Sequence, residues 1–105
     1  MPRTADAAAY KVFETLSNGD FETFMNDYSE PGAREVYERV FSDPTKSNYI
    51  TGLQIVSIGT PTNSYSPNSW WVPYKIRFKG GEEKELSLHM EWDPSAQRWY
   101  MKGGF

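Results

Sequence analysis

Hydrophobic and polar positions alternate through residues 70–101. Trp70, Val72, Tyr74, Ile76 and Phe78 alternate with Trp71, Pro73, Lys75, Arg77 and Lys79. Further on, Leu86, Leu88, Met90 and Trp92 alternate with Glu85, Ser87, His89 and Glu91. A period of two marks half-buried antiparallel strands. Gly80-Gly81 lies in the first turn. A two-residue Gly-Gly turn would set Ile76 against Glu85 and bring charge onto the apolar side. A three-residue loop, Gly80-Gly81-Glu82, instead pairs Lys79 with Glu83, Arg77 with Glu85, Ile76 with Leu86, Tyr74 with Leu88, Val72 with Met90 and Trp70 with Trp92, each pair matched in character. In the second turn, a four-residue loop over residues 94–97 pairs Trp92 with Trp99 and Met90 with Met101. It also sets Glu91 beside Tyr100 and His89 beside Lys102. The predicted sheet has an apolar face (Trp70, Val72, Tyr74, Ile76, Phe78, Leu86, Leu88, Met90, Trp92, Trp99, Met101) and a polar face that carries Trp71, Pro73, His89, Glu91, Tyr100 and Lys102.

Upstream the period changes to that of a helix. Residues 5–17 place Ala5, Ala8, Ala9, Val12, Phe13 and Leu16 on one stripe, with Thr4 as N-cap and Asn18-Gly19 as the stop. Asp20 caps a second helix over residues 21–28, with Phe21, Phe24, Met25 and Tyr28 on one side. After Pro31-Gly32, residues 33–41 read as a third helix with Ala33, Val36, Tyr37, Val40 and Phe41 as its stripe, ended by Asp43-Pro44. Residues 49–60 read as the first strand, with a bulge near Ile55-Val56 reconciling its two apolar sets. Residues 61–69 read as a surface loop. Three helices followed by about four antiparallel strands define a single α+β domain over residues 1–105, its helices covering the apolar sheet face.

The helix that ends in Leu16-Ser17-Asn18-Gly19-Asp20-Phe21 and turns into a second short helix with Phe24 and Met25 resembles the first helical hairpin of nuclear-transport-factor-2-like (cystatin-like) domains. The trailing strands, with the closing Arg98-Trp99-Tyr100-Met101, are similar to that family's as well. The resemblance rests on pattern and element order. It implies a cone: a curved sheet wrapped around helices, with a cavity at the wide end. It also implies frequent dimerisation through the sheet. The family includes isomerases, dehydratases and epoxide hydrolases as well as transport adaptors and non-catalytic accessory domains, so its fold does not name a function.

The chain has 105 residues, enough for one core without staples, and no cysteine, which removes disulfides and thiolate metal sites. A net charge of −3 with acids and bases interspersed argues against a nucleic-acid footprint. No apolar run reaches the ~20 residues of a membrane helix, and the N-terminal stretch lacks the apolar centre of a signal peptide. A cytoplasmic protein is expected, or an exported one whose signal has been removed. One His and no Cys make zinc a poor expectation, and no phosphate-cradling motif implies a cofactor.

Two residues are weak catalytic candidates: His89, as a base oriented by Glu91, and Asp27, at the end of the second helix. His89 reads first as an exposed or interface residue, and Asp27, with Glu30 at the same helix end, as a solvated one. Aromatic residues make up 16% of the chain. Tyr74, Trp92 and Trp99, with Trp70 on the same face and Tyr28 as a polar tip (Tyr10 and Tyr37 being the other choices), either line a pocket for a small apolar, aromatic or sugar-like ligand or fill the core. Trp71, Pro73, His89 and Tyr100 on the polar face mark a contact surface, a homodimer interface in the first instance, unless a terminus such as Gly103-Gly104-Phe105 covers them. The expected function is therefore a non-catalytic ligand-binding or protein-interaction module. The alternative is a small cofactor-free lyase or isomerase with an acid in the cone.

Overall fold

Helix α1 (Ala5–Ser17) forms where the periodicity places it in the computed structural model, which describes residues 3–105; residues 1–2 lie outside it. The Thr4 side chain accepts the Ala7 N–H at 3.4 Å, and the helix closes as Gly19 takes φ 70° while the Asp20 N–H reaches back to the Thr15 carbonyl. A residue without Cβ adopts that conformation freely, so the stop falls at the glycine. The stripe Ala5, Ala8, Ala9, Val12, Phe13 and Leu16 is buried against the sheet, and its alanines let the helix lie close to the strands.

Asp20 accepts the Thr23 N–H at 3.3 Å and caps α2 (Phe21–Thr23), which runs directly into a π-helical turn, Phe24–Tyr28. The Ser29 hydroxyl donates to the Met25 carbonyl at 2.6 Å, and Ser29 bridges to Met101 at the sheet edge. In α3 (Arg34–Phe41), Phe41 stacks on Phe21 at 4.2 Å and Tyr37 meets Phe24 edge-on at 4.9 Å. Val36, expected on the buried stripe, is 56% exposed, because α3 is fastened by its Tyr37/Phe41 side alone. Asp43-Pro44 does not simply end a helix. Asp43 accepts the Thr45 N–H at 3.0 Å and caps a fourth helix, α4 (Pro44–Ile50). Proline fits the first helical position, where its missing N–H has no intrahelical partner to lose. Tyr49 and Ile50 therefore belong to a helix, and the strand expected from residue 49 begins at Gln54.

Five strands form one open antiparallel sheet: β1 (Gln54–Ile58), β2 (Thr62–Asn63), β3 (Ser69–Arg77), β4 (Glu83–Asp93) and β5 (Arg98–Gly103), in the order β1-β3-β4-β5 with β2 also on β3. The β1 bulge lies between Ile55 and Ser57, as the apolar run predicts. Bulges there and in β5, opposite His89-Met90, curve the sheet. The 61–69 segment is not only loop, since Thr62 and Asn63 pair with Trp71 and Trp70.

The β4–β5 register pairs Trp92 with Trp99, Met90 with Met101 and Glu91 with Tyr100, as expected. The bulge in β5, with Lys102 as its extra residue, shifts His89 opposite Gly103 rather than Lys102. The β3–β4 register differs from the expected one by two residues: Arg77 pairs with Glu83, Tyr74 with Leu86, Val72 with Leu88 and Trp70 with Met90. The reason lies in the turn. The Phe78 N–H bonds to the Glu82 carbonyl, so the three loop residues are Lys79, Gly80 and Gly81, and the last of them takes φ 96°. A three-residue hairpin loop needs a left-handed residue at its end, which Gly81 supplies and Glu82 would resist. An offset of two preserves the parity of every side chain, so both sheet faces keep their predicted membership.

Val72, Tyr74, Ile76, Phe78, Leu88, Met90, Trp99 and Met101 join α1 in the core. Leu86 is the exception at 52% exposed: β5 stops opposite His89, so the outer half of β4 lacks a neighbour on that side. At the same end the chain turns at Gly104 (φ 93°) onto the apolar face. The Tyr74 hydroxyl donates to the Gly104 carbonyl at 2.6 Å, and Phe105 packs on Phe13 with 5.8 Å between ring centroids. The C-terminal tail therefore closes the core and does not cover the polar face.

Candidate functional site

The parity of β3, β4 and β5 brings Trp71, Pro73, His89 and Tyr100 onto the outer face, turned away from α1. Trp71 and His89 are direct cross-strand partners and their rings stack at 4.3 Å, 23° from parallel. Tyr65, from the loop after β2, meets the His89 ring edge-on at 5.7 Å. The result is a row of three rings whose two ends are open to solvent, Tyr65 at 70% and Trp71 at 39% exposed.

Beside this row Glu91 gathers the polar groups. Its Oε1 accepts the Ser69 hydroxyl at 2.8 Å and the Tyr65 hydroxyl at 3.4 Å, and its Oε2 accepts the Tyr100 hydroxyl. Lys102 Nζ donates to the Tyr65 hydroxyl at 3.3 Å and lies 3.7 Å from Glu91. The Tyr100 bond, with those from Ser69 and Tyr65 and the charge of Lys102, holds the Glu91 carboxyl below its ordinary range against the opposing effect of burial. Burial and the Glu91 carboxylate together push the Tyr100 phenol up. Burial pulls the His89 pKa down, Lys102 adds to that, and Glu91 and Glu30 oppose it. Both Glu91 oxygens are engaged, and no hydrogen bond joins it to His89, whose Nε2 is buried without a partner. The group acts as a clasp that pins the 61–69 loop to the sheet; it is not arranged as a base with an orienting carboxylate.

Asp27 is exposed on the π-helical turn and has no hydrogen bond to His89. Of the four residues read as a pocket, Trp92 and Trp99 stand side by side at 5.5 Å. Tyr74 is buried under Phe13 and the tail, its hydroxyl pushed up to about 12 by burial. Tyr28 faces a cleft on the far side of α1, beside Lys11 and Thr23. No Asp, Glu or His among the described residues belongs to the buried core facing α1.

An aromatic slot lies on the inner face. At the start of α1 a cleft of about 310 Å³ opens between Trp70, Trp99 and Pro61, with Arg3, Thr4, Ala5 and Asp6 along its rim. Sequence reasoning put Trp70 and Trp99 on one face but missed Pro61 and the helix start, which only tertiary packing brings there. Tyr65 was missed too. Its one signal is that it is the single aromatic in the polar run Pro61-Thr62-Asn63-Ser64-Tyr65-Ser66-Pro67-Asn68-Ser69.

Among the described residues, no three His, Asp or Glu side chains are grouped so as to hold a metal ion, and no helix is long and apolar enough to cross a membrane. No family model, no curated protein and no solved structure matches this chain.

Proposed function

We propose that this protein is a non-catalytic interaction module on a nuclear-transport-factor-2-like scaffold, and that its working surface is the outer sheet face, on which two copies associate. The α1–α2 hairpin turning at Gly19-Asp20 and laid across a curved open sheet supports the scaffold assignment. One observation carries the functional reading. The space between α1 and the sheet is filled by Phe13, Tyr74, Leu88, Met90 and Phe105, whereas Trp71 stands open on the braced Tyr65–His89–Trp71 row. Tryptophan and tyrosine are the residues most often found at the energetic centre of interfaces, and a row held by its neighbours loses little entropy on docking.

Further along the face, Lys75 and Arg77 from β3 are balanced by Glu83 and Glu85 from β4, both cations pairing with Glu83 in the same chain, so two copies related by a two-fold axis meet without net charge repulsion there. Light scattering at tens of micromolar protein tests the reading. Wild type should be a dimer, and Trp71→Glu should be a monomer with unchanged far-ultraviolet circular dichroism. Pro73→Lys should weaken the dimer without touching the His89 stack. A monomeric wild type, or a Trp71→Glu dimer, would refute the proposal.

A further inference from the structure

The geometry points to a second site on the opposite face: the slot between Trp70, Trp99, Pro61 and the start of α1, binding a small uncharged planar molecule, an aromatic or heteroaromatic ring that carries a hydrogen-bond acceptor. Its volume of about 310 Å³ is at the lower end of small-molecule pockets and admits one or two rings. Its apolar walls are two indoles and a proline ring, surfaces on which flat rings stack. The indoles play different parts. Trp70 donates its Nε1–H to the Pro67 carbonyl at 3.2 Å, so it offers only its ring face. Trp99 is 7% exposed and its Nε1–H has no acceptor. A buried donor without a partner is rare in folded proteins and marks a place where a bound group can supply one. Trp99 also lines the slot, so binding requires its ring to turn until that N–H meets the ligand's acceptor.

Charge narrows the class. Arg3 and Asp6 sit on the same rim with opposite sign, so neither an anion nor a cation is favoured. The site is independent of the dimer proposal: Trp71, on the other face, takes no part in it, and a monomeric Trp71→Glu protein should bind equally well.

The test follows the four indole N–H signals of Trp70, Trp71, Trp92 and Trp99 in ¹⁵N-resolved NMR while benzamide is added, with cyclohexanecarboxamide as the non-planar control and methyl glucoside as the sugar control. Benzamide should give a saturable shift of the Trp99 signal with a Kd of about 1 mM or tighter, and the Trp71 signal should stay fixed. Trp70→Ala should weaken binding about tenfold. Pro61→Arg, which fills the slot mouth without touching the core, should do the same if Trp70→Ala fails to fold. The proposal is overturned if the Trp99 signal does not shift saturably, if Pro61→Arg binds as wild type does, or if either control binds as tightly as benzamide.

Discussion

Substituting Gly104 by alanine tests how the tail closes the core. Gly104 sits at φ 93°, and a Cβ built there would fall far inside van der Waals contact of the Ser87 carbonyl oxygen and 3.1 Å from the Leu88 Cα. Both obstacles are backbone, so no side-chain rotation relieves them, and the left-handed conformation alone costs an L-residue about 1–2 kcal/mol. The cheaper response is for the tail to lift. That breaks the 2.6 Å bond from the Tyr74 hydroxyl and partly uncovers Phe13. A buried hydroxyl left without a partner costs about 1–3 kcal/mol, and the lost aromatic contact adds about 1 kcal/mol. Gly104→Ala should therefore destabilise the protein by about 2–4 kcal/mol, read as a fall in the urea midpoint at constant slope. Gly103→Ala is the control. Nothing lies within 4 Å of its added Cβ, and it should stay within about 0.5 kcal/mol of wild type. Because both changes break the same bond, Gly104→Ala combined with Tyr74→Phe should cost less than the sum of the two. A Gly104→Ala loss below about 1 kcal/mol, or strict additivity with Tyr74→Phe, would refute the account of the tail as a core lid.

Two further expectations follow from burial. Trp99→Ala should cost about 3–5 kcal/mol, since Trp99 is 7% exposed, and Trp92→Ala clearly less, since Trp92 is only half-buried; a larger loss at Trp92 would reverse their places in the packing. His89 holds its proton less tightly folded than unfolded, so the unfolded chain binds more protons and stability should fall as pH drops below about 6.5, levelling off below the folded value. Glu91 contributes a separate loss below about 4.5 as its carboxylate is protonated. His89→Gln should flatten the first of these steps and spare the second in urea midpoints measured from pH 7 to pH 3. An unchanged slope in the variant would place the pH dependence elsewhere.

The amino-acid sequence by itself determined what depends on local period and local stereochemistry. The α1 stripe, the Thr4 and Asp20 caps and the Gly19 stop were all legible, as were the β1 bulge, the two sheet faces and the Trp92–Trp99 hairpin. A side chain's face follows from counting by two or by 3.6, and Asp93-Pro94 punctuates its turn within a few residues. Of the outer-face site, Trp71, Pro73, His89 and Tyr100 were legible by the same parity, and Trp70 and Trp99 of the slot likewise. Tertiary structure decided the rest. Asp43-Pro44 can close one helix or open the next, and it opened α4 because Tyr49 found Phe78 to stack on at 4.4 Å. The β3–β4 loop is a local matter by contrast: three-residue loops at two positions satisfy the same pairing pattern, and the left-handed residue required at the loop's end selects the one that ends on Gly81. Period alone cannot tell an aromatic that fills a core from one that lines a slot. Parity set Trp71 on the other face, but Tyr74 and Trp99 were separated only by what came to lie over them: the C-terminal tail over Tyr74 and the mouth of the slot beside Trp99. Those covers come from segments distant in sequence, whose approach is set by whole-chain packing and leaves no mark on the local pattern.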